Sequence, residues 1–274
     1  MVRLNLSARE QWLCQLVADT DPSARQAVLE QLQAKQAEVE VDQLATANEV
    51  AAHLAHAYLD GAGATVTPAG LAATHQTTAA RITSYLTELD QQAAELARHD
   101  IALVALKNGG IARGIYPCPG CCPMGDLDVL VEKKDFRAAH AILLDQGYRF
   151  EYRSPLEETD LKAAEESGGA EYWKILPNGE KLWLELQWRP VAGRWIRPDQ
   201  EPSAEELMAR SMPIPDTAVR LLAPEDNLLQ VALHTAKHSY VRAPGFRLHT
   251  DVDRIVRRQV IDWQTFVEDR KSVV

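Results

Sequence analysis

Two aspartates lie two positions apart in the run Gly125-Asp126-Leu127-Asp128-Val129-Leu130-Val131. In an extended strand, side chains at i and i+2 share a face, so Leu127, Val129 and Val131 would turn to a core while Asp126 and Asp128 face the other way. Carboxylates that close repel, and partial burial raises the cost. A hard divalent cation such as Mg²⁺ resolves the conflict, because it prefers carboxylate oxygens and keeps positions open for water and phosphate. The competing reading is a pair of solvated turn residues at a strand start after Gly125.

A third acid stands out in Leu182-Trp183-Leu184-Glu185-Leu186-Gln187. The three leucines would line one face and Trp183, Glu185 and Gln187 the other. If this strand lies beside Asp126 to Val131, Glu185 joins the two aspartates in a metal-binding set; otherwise it is a solvated acid on a half-exposed sheet. Cys118-Pro119-Gly120-Cys121-Cys122 has the Cys-x-x-Cys spacing of redox pairs and of half a zinc site. No thioredoxin-like context surrounds it, and a complete zinc site would have to recruit distant histidines. Free loop thiols are the plainer reading. His234 and His238 are spaced i, i+4 on a helix and share a face, without the glutamate of a metalloprotease motif. Lining a cleft or packing is expected of them. Asp251 and Asp253 read as helix-start acids before Arg254, Arg257 and Arg258.

The elements that must position these residues follow from periodicity. Residues 8–98 are rich in Ala, Gln, Glu and Leu, with apolar positions recurring every three or four, and Pro22 and Asp60-Gly61-Ala62-Gly63 divide them. The last helix, about Pro68 to Arg98, carries Ile82, Leu86, Leu89, Ala93 and Leu96 on one stripe. Ile101 to Leu106 and Asp126 to Val131 are strand candidates, and Lys134 to Gln146 is an amphipathic helix stopped at Gly147. Glu171 to Leu176 and Lys181 to Trp188 flank Asn178-Gly179, a hairpin signal. From Glu201 the pattern is helical again. An α+β fold is expected, a small mixed β-sheet core over 99–190 between helical regions at 1–98 and 191–274. The end at Val274 carries no stop signal, so a further C-terminal piece is expected.

The 274 residues are 46% hydrophobic, enough to bury a core. No apolar run approaches the roughly 18 residues that span a bilayer, and no leader pattern is seen; a soluble, cytoplasmic protein is expected. The net charge of -10 argues against an extended nucleic-acid surface but not against a nucleotide as small substrate. Four cysteines make no disulfide framework.

Together the glycine pair in Lys107-Asn108-Gly109-Gly110, the Asp-x-Asp strand and the later acid resemble the polymerase-beta-type nucleotidyltransferase superfamily. More narrowly, Leu106-Lys107, Tyr116-Pro117-Cys118-Pro119-Gly120, Pro123-Met124-Gly125-Asp126-Leu127-Asp128, Leu184-Glu185-Leu186-Gln187-Trp188-Arg189 and Leu233-His234-Thr235-Ala236-Lys237-His238 resemble a family of bacterial nucleotidyltransferases over about residues 85–265. The chain departs from that pattern at Asn108, where glycine is usual after the lysine, and at Cys121-Cys122, which replace an apolar residue and an arginine.

The resemblance implies transfer of an NMP group from an NTP, expected to be ATP, to an unidentified small-molecule, peptide or RNA acceptor, with release of pyrophosphate. It implies Asp126, Asp128 and Glu185 as catalytic ligands of two Mg²⁺ ions. It also implies a phosphate-cradling helical turn beginning at Gly109 and Gly110, with Lys107, Arg113, Arg189 and His234 as further nucleotide contacts. A helix start with free N–H groups suits an anion on simple physics too. A degenerate member acting as a nucleotide-binding or regulatory protein, and a toxin-like enzyme modifying tRNA or protein, are the alternatives.

Overall fold

The structure is a computed structural model that describes residues 6–18, 21–61, 67–151, 160–190, 201–241 and 246–271, with backbone alone at 237–241 and 268–271. The side chains of Lys237 and His238 therefore lie outside the described residues.

The chain opens with α1 (Ala8–Val17), α2 (Pro22–Lys35), α3 (Glu38–Ala47), α4 (Ala51–Gly61) and the long α5 (Ala69–Ala97). Local chemistry sets the starts. Ser7 and Glu10 form a reciprocal capping box on α1, and Asp21 caps α2 ahead of Pro22. Leu16, Leu29, Leu32, Val41, Leu54 and Tyr58 close a core among the first four helices. The stripe on α5 turns elsewhere: Ile82, Leu89, Ala93 and Leu96 are buried against the sheet that follows.

That sheet is built by β1 (Leu103–Leu106), α6 (Lys107–Gly114), β2 (Asp126–Leu130), α7 (Phe136–Asp145), β3 (Arg149–Phe150), α8 (Leu161–Ser167), β4 (Gly169–Ile175) and β5 (Lys181–Gln187). It is completed by α9 (Ala204–Arg210), β6 (Met212–Pro213) and β7 (Val219–Leu221), after which come α10 (Pro224–Val241), α11 (Arg247–Arg258) and α12 (Trp263–Lys271). Seven strands run in the order β3-β4-β5-β2-β1-β7-β6. β1 is antiparallel to β2 and parallel to β7, and β2 is parallel to β5, so the sheet is mixed and the fold is α+β. The β4–β5 hairpin turns at Asn178-Gly179, where Gly179 has φ 85° and donates to Leu176 O.

The alternation read in the sequence is the alternation of the two sheet faces. Ala105, Leu127, Val129, Leu184 and Leu186 lie in the core under α5 and α7. On the opposite face Val104, Leu106 and Leu130 pack with Ala204, Leu207 and Met208 of α9.

The segment after Glu201 is not purely helical. β6 and β7 extend the sheet, and at two and three residues they are too short for a period-two pattern to register. Asp251 also departs from the helix-start reading. It lies within α11, is buried, accepts a hydrogen bond from Tyr116 Oη at 2.5 Å and pairs with Arg247 at 3.5 Å. His53 Nε2 on α4 completes this knot at 2.9 Å from Tyr116 Oη, tying α4, the connection after α6 and α11 together.

Candidate active site

Strand register brings the acids together. Asp128 and Glu185 are Cα partners on the parallel strands β2 and β5, and Leu106, at the end of β1, faces Asp128 from the other side. Asp128 is only 4% exposed, and Gln187 Nε2 donates to its Oδ1 at 3.2 Å. Glu185 stays partly open to solvent. Asp126, two residues before Asp128, shares its face and adds to the negative field on Lys107 and Glu185.

The charge of these acids is partly offset from the start of α6. Lys107 Nζ lies 2.6 Å from Asp128 Oδ1 and 3.7 Å from Glu185 Oε2. Burial pushes the Asp128 carboxyl up to about 7; the Lys107 ammonium opposes that shift and the neighbouring Glu185 reinforces it. Glu185 is held below its ordinary value: burial disfavours its charge, but Lys107 and a hydrogen bond with Asp128 outweigh it. Lys107 is likewise disfavoured by burial, and Asp128, Glu185 and Asp126 together hold its proton more tightly than usual. Three acids and one cation thus occupy a single face, a hard-oxygen donor set that a dication fits.

The chain passes from β1 into α6 without a loop. Lys107 takes the left-handed φ of 46°, unusual for a non-glycine residue, and its N–H donates to Gln230 Oε1 at 3.2 Å. Gln230 in turn donates to Pro190 O at 3.0 Å. The helical turn therefore begins two residues before the glycine pair. Gly110 is needed there because a Cβ would stand 2.7 Å from Ala105 O. Leu106, the residue before α6, makes no side-chain cap, so Gln230 serves the first N–H of the helix from α10. Asn108 is turned away from it, its Oδ1 accepting from Arg247 Nη1 at 3.1 Å, so the departure from glycine is absorbed by a clasp to α11.

Two of the remaining sequence candidates are paired with other acids. Arg113 pairs with Asp90 of α5 at 3.2 Å, and Arg189 pairs with Glu201 and reaches Ser167 O. Among the described contacts neither reaches Asp128 or Glu185. His234 is half-buried on α10. Gln187 and Gln230 were not legible as site residues, because an amide has no charge signature and its role depends on what folding sets against it. A cleft of about 410 Å³ opens beside Gly125, the neighbour of Asp126, walled by Thr74, Arg81, Glu49 and Arg247 among others.

A mixed sheet thus carries acids in register on adjacent strands, next to a helix start. Residues 21–273 match the family described as uncharacterised nucleotidyltransferase, and the chain belongs to that family. A nucleotidyltransferase role follows at that general level. Among solved structures, an antigenic nucleotidyltransferase-like protein from Paracoccidioides brasiliensis is similar at 14% identity, over 68% of this chain and 85% of that one, with a TM-score of 0.43. No curated protein matches the chain. No helix among the described residues is long and apolar enough to cross a membrane.

Proposed function

We propose that the protein transfers an NMP group from an NTP, with ATP the expected donor, to an acceptor and releases pyrophosphate in a Mg²⁺-dependent reaction. The observation that carries this reading is the register of Asp128 with Glu185, with Lys107 between them. Asp126, Asp128 and Glu185 would hold Mg²⁺, which would neutralise phosphate charge and, as two ions, would stabilise the charge that develops in an in-line displacement.

The protein's own groups supply the rest. Backbone N–H groups in the first turn of α6 donate to phosphate oxygens, and Lys107 offers an ammonium point charge. Arg81 gives the cleft beside Gly125 a cation for a further anionic part of the substrates, while Arg247 in the same wall is held by Glu49 and Asp251. An acceptor oxygen forms a bond to the α-phosphorus as the bond to the bridging oxygen breaks. Pyrophosphate leaves with that electron pair, and the acceptor proton passes to Glu185 or solvent.

Incubation with Mg²⁺ and each α-labelled NTP, alone and with cell extract, tests the reading. Label should enter an acceptor with the native protein and not with Asp126→Asn, Asp128→Asn or Glu185→Gln. Transfer from γ-labelled but not α-labelled NTP, or full transfer by both aspartate variants, overturns it. The Lys107 to Asp128 pair favours one second reading, a member that binds nucleotide without turnover. NTP binding by calorimetry with no labelled product would select that reading.

A further inference from the structure

Away from the acids, side chains from three separate parts of the chain converge. His56 on α4 and His75 on α5 meet Cys118 and Cys121 in the connection between α6 and β2, and their four donor atoms all lie within 4.8 Å of one another. Cys118 Sγ is 3.4 Å from His75 Nε2, 3.6 Å from His56 Nδ1 and 2.8 Å from Cys121 Sγ. Both cysteines are free thiols, and Cys121 is buried.

We propose that His56, His75, Cys118 and Cys121 form a structural Zn²⁺ site that pins the connection leading to Asp126 onto the helical region. A tetrahedral ion with Zn–S of about 2.3 Å and Zn–N of about 2.0 Å sets its sulfur and nitrogen ligands roughly 3.5 Å apart. The two observed sulfur to nitrogen distances match this. The two sulfurs need to open by about 1 Å to reach the tetrahedral spacing.

The surroundings are shaped for such a cluster. Pro119–Cys121 form a single 3₁₀ turn, with Cys121 N–H bonded to Cys118 O and Cys122 N–H to Pro119 O, which puts both thiols of the Cys-Pro-Gly-Cys run toward the helices. Gly120 is obligatory, since a Cβ there would overlap the His75 ring. The imidazoles stack at 17°, their centroids 6.1 Å apart, and present different nitrogens to one sulfur.

Two thiolates and two imidazoles select zinc over hard cations such as Mg²⁺. Four protein ligands fill the coordination sphere and leave no position for a substrate, so the role is structural. A redox pair would not need two histidines. Cys122, buried in the core and 3.9 Å from Asn108 O, and Cys14 on α1 take no part.

The site is independent of the nucleotidyl-transfer reading and is tested without activity. The untagged full chain, purified with zinc in the medium, should carry about one zinc per chain by elemental analysis and native mass spectrometry. Asp126→Asn/Asp128→Asn should keep it, and His56→Ala/His75→Ala and Cys118→Ser/Cys121→Ser should lose it. Cobalt exchanged into the native chain should give the intense visible bands of a tetrahedral thiolate complex. If the variants do not fold, the native chain still decides. A chelator should then release zinc, expose two further thiols to alkylation and lower the Tm. Native chain that holds no zinc after zinc supplementation, a Cys118–Cys121 disulfide in the purified protein, or zinc retained by both ligand variants overturns the proposal.

Discussion

Lys107 and Asp128 form a partly buried ion pair across a strand-to-helix junction, Nζ to Oδ1 at 2.6 Å, with the lysine backbone held at a left-handed φ of 46°. The pair places a positive charge on the face where Asp126, Asp128 and Glu185 gather. It links the state of the acids to the geometry of the α6 start.

Removing that cation leaves a crowded acid pair. Lys107→Met should lower stability by about 2 kcal/mol without Mg²⁺, below the usual cost of breaking a buried pair because Asp128 can take up a proton. Added Mg²⁺ should then raise the Tm of the variant more than that of the native protein. Thermal melts with and without Mg²⁺ measure both effects, and equal Mg²⁺ shifts would contradict the expectation.

The metal-free protein should lose stability as pH rises through neutrality. Asp128 binds its proton more tightly when folded, near 7, than at its ordinary value of 3.8. The folded state therefore holds more protons between those values, and this contribution, complete below 3.8, is gone above about 7, on the order of 4 kcal/mol in all. Asp42, pushed by burial up to about 6, adds a slope of the same sign. Glu185 acts oppositely, losing its contribution as pH falls through a value below 4.5. Denaturant titrations between pH 5 and 8 should show the slope shrinking in Asp128→Asn; an unchanged slope would refute the assignment.

Two glycines on either side of the site should respond differently. At Gly110 an added Cβ meets Ala105 O at 2.7 Å, whereas at Gly125 it meets nothing within 4 Å. Gly110→Ala should cost about 2 kcal/mol and weaken NTP binding by moving α6, while Gly125→Ala should be near neutral in stability. Calorimetry and chemical denaturation of the two variants check this contrast.

Gln230 should matter through Lys107. Its side chain bridges Lys107 N–H and Pro190 O, and it is buried. Gln230→Ala leaves both partners unpaired and should cost about 2 kcal/mol. Gln230→Glu keeps the acceptor and should recover part of the loss. Equal melts for the two variants would show that the bond to Lys107 contributes nothing.

Much of the architecture was legible because it follows local periodicity. The stripe on α5, the alternation in β2 and β5 and the Asn178-Gly179 turn are written in neighbouring residues, and burial of one face explains each. β6 and β7 were not legible, since two- and three-residue strands carry no period and take their place from β1 beside them.

The sequence by itself determined which residues are acids, which strand face each takes and where the chain must turn, because side-chain direction has a fixed period along a strand or helix. Only the tertiary structure decided that Asp128 and Glu185 stand in register, that Lys107 lies against both, and that Gln187 and Gln230 hold the group together. It also decided that His56 and His75 reach a cysteine turn 43 or more residues further along. Those relationships depend on strand order and helix docking, which long-range burial of apolar faces selects and no local spacing encodes.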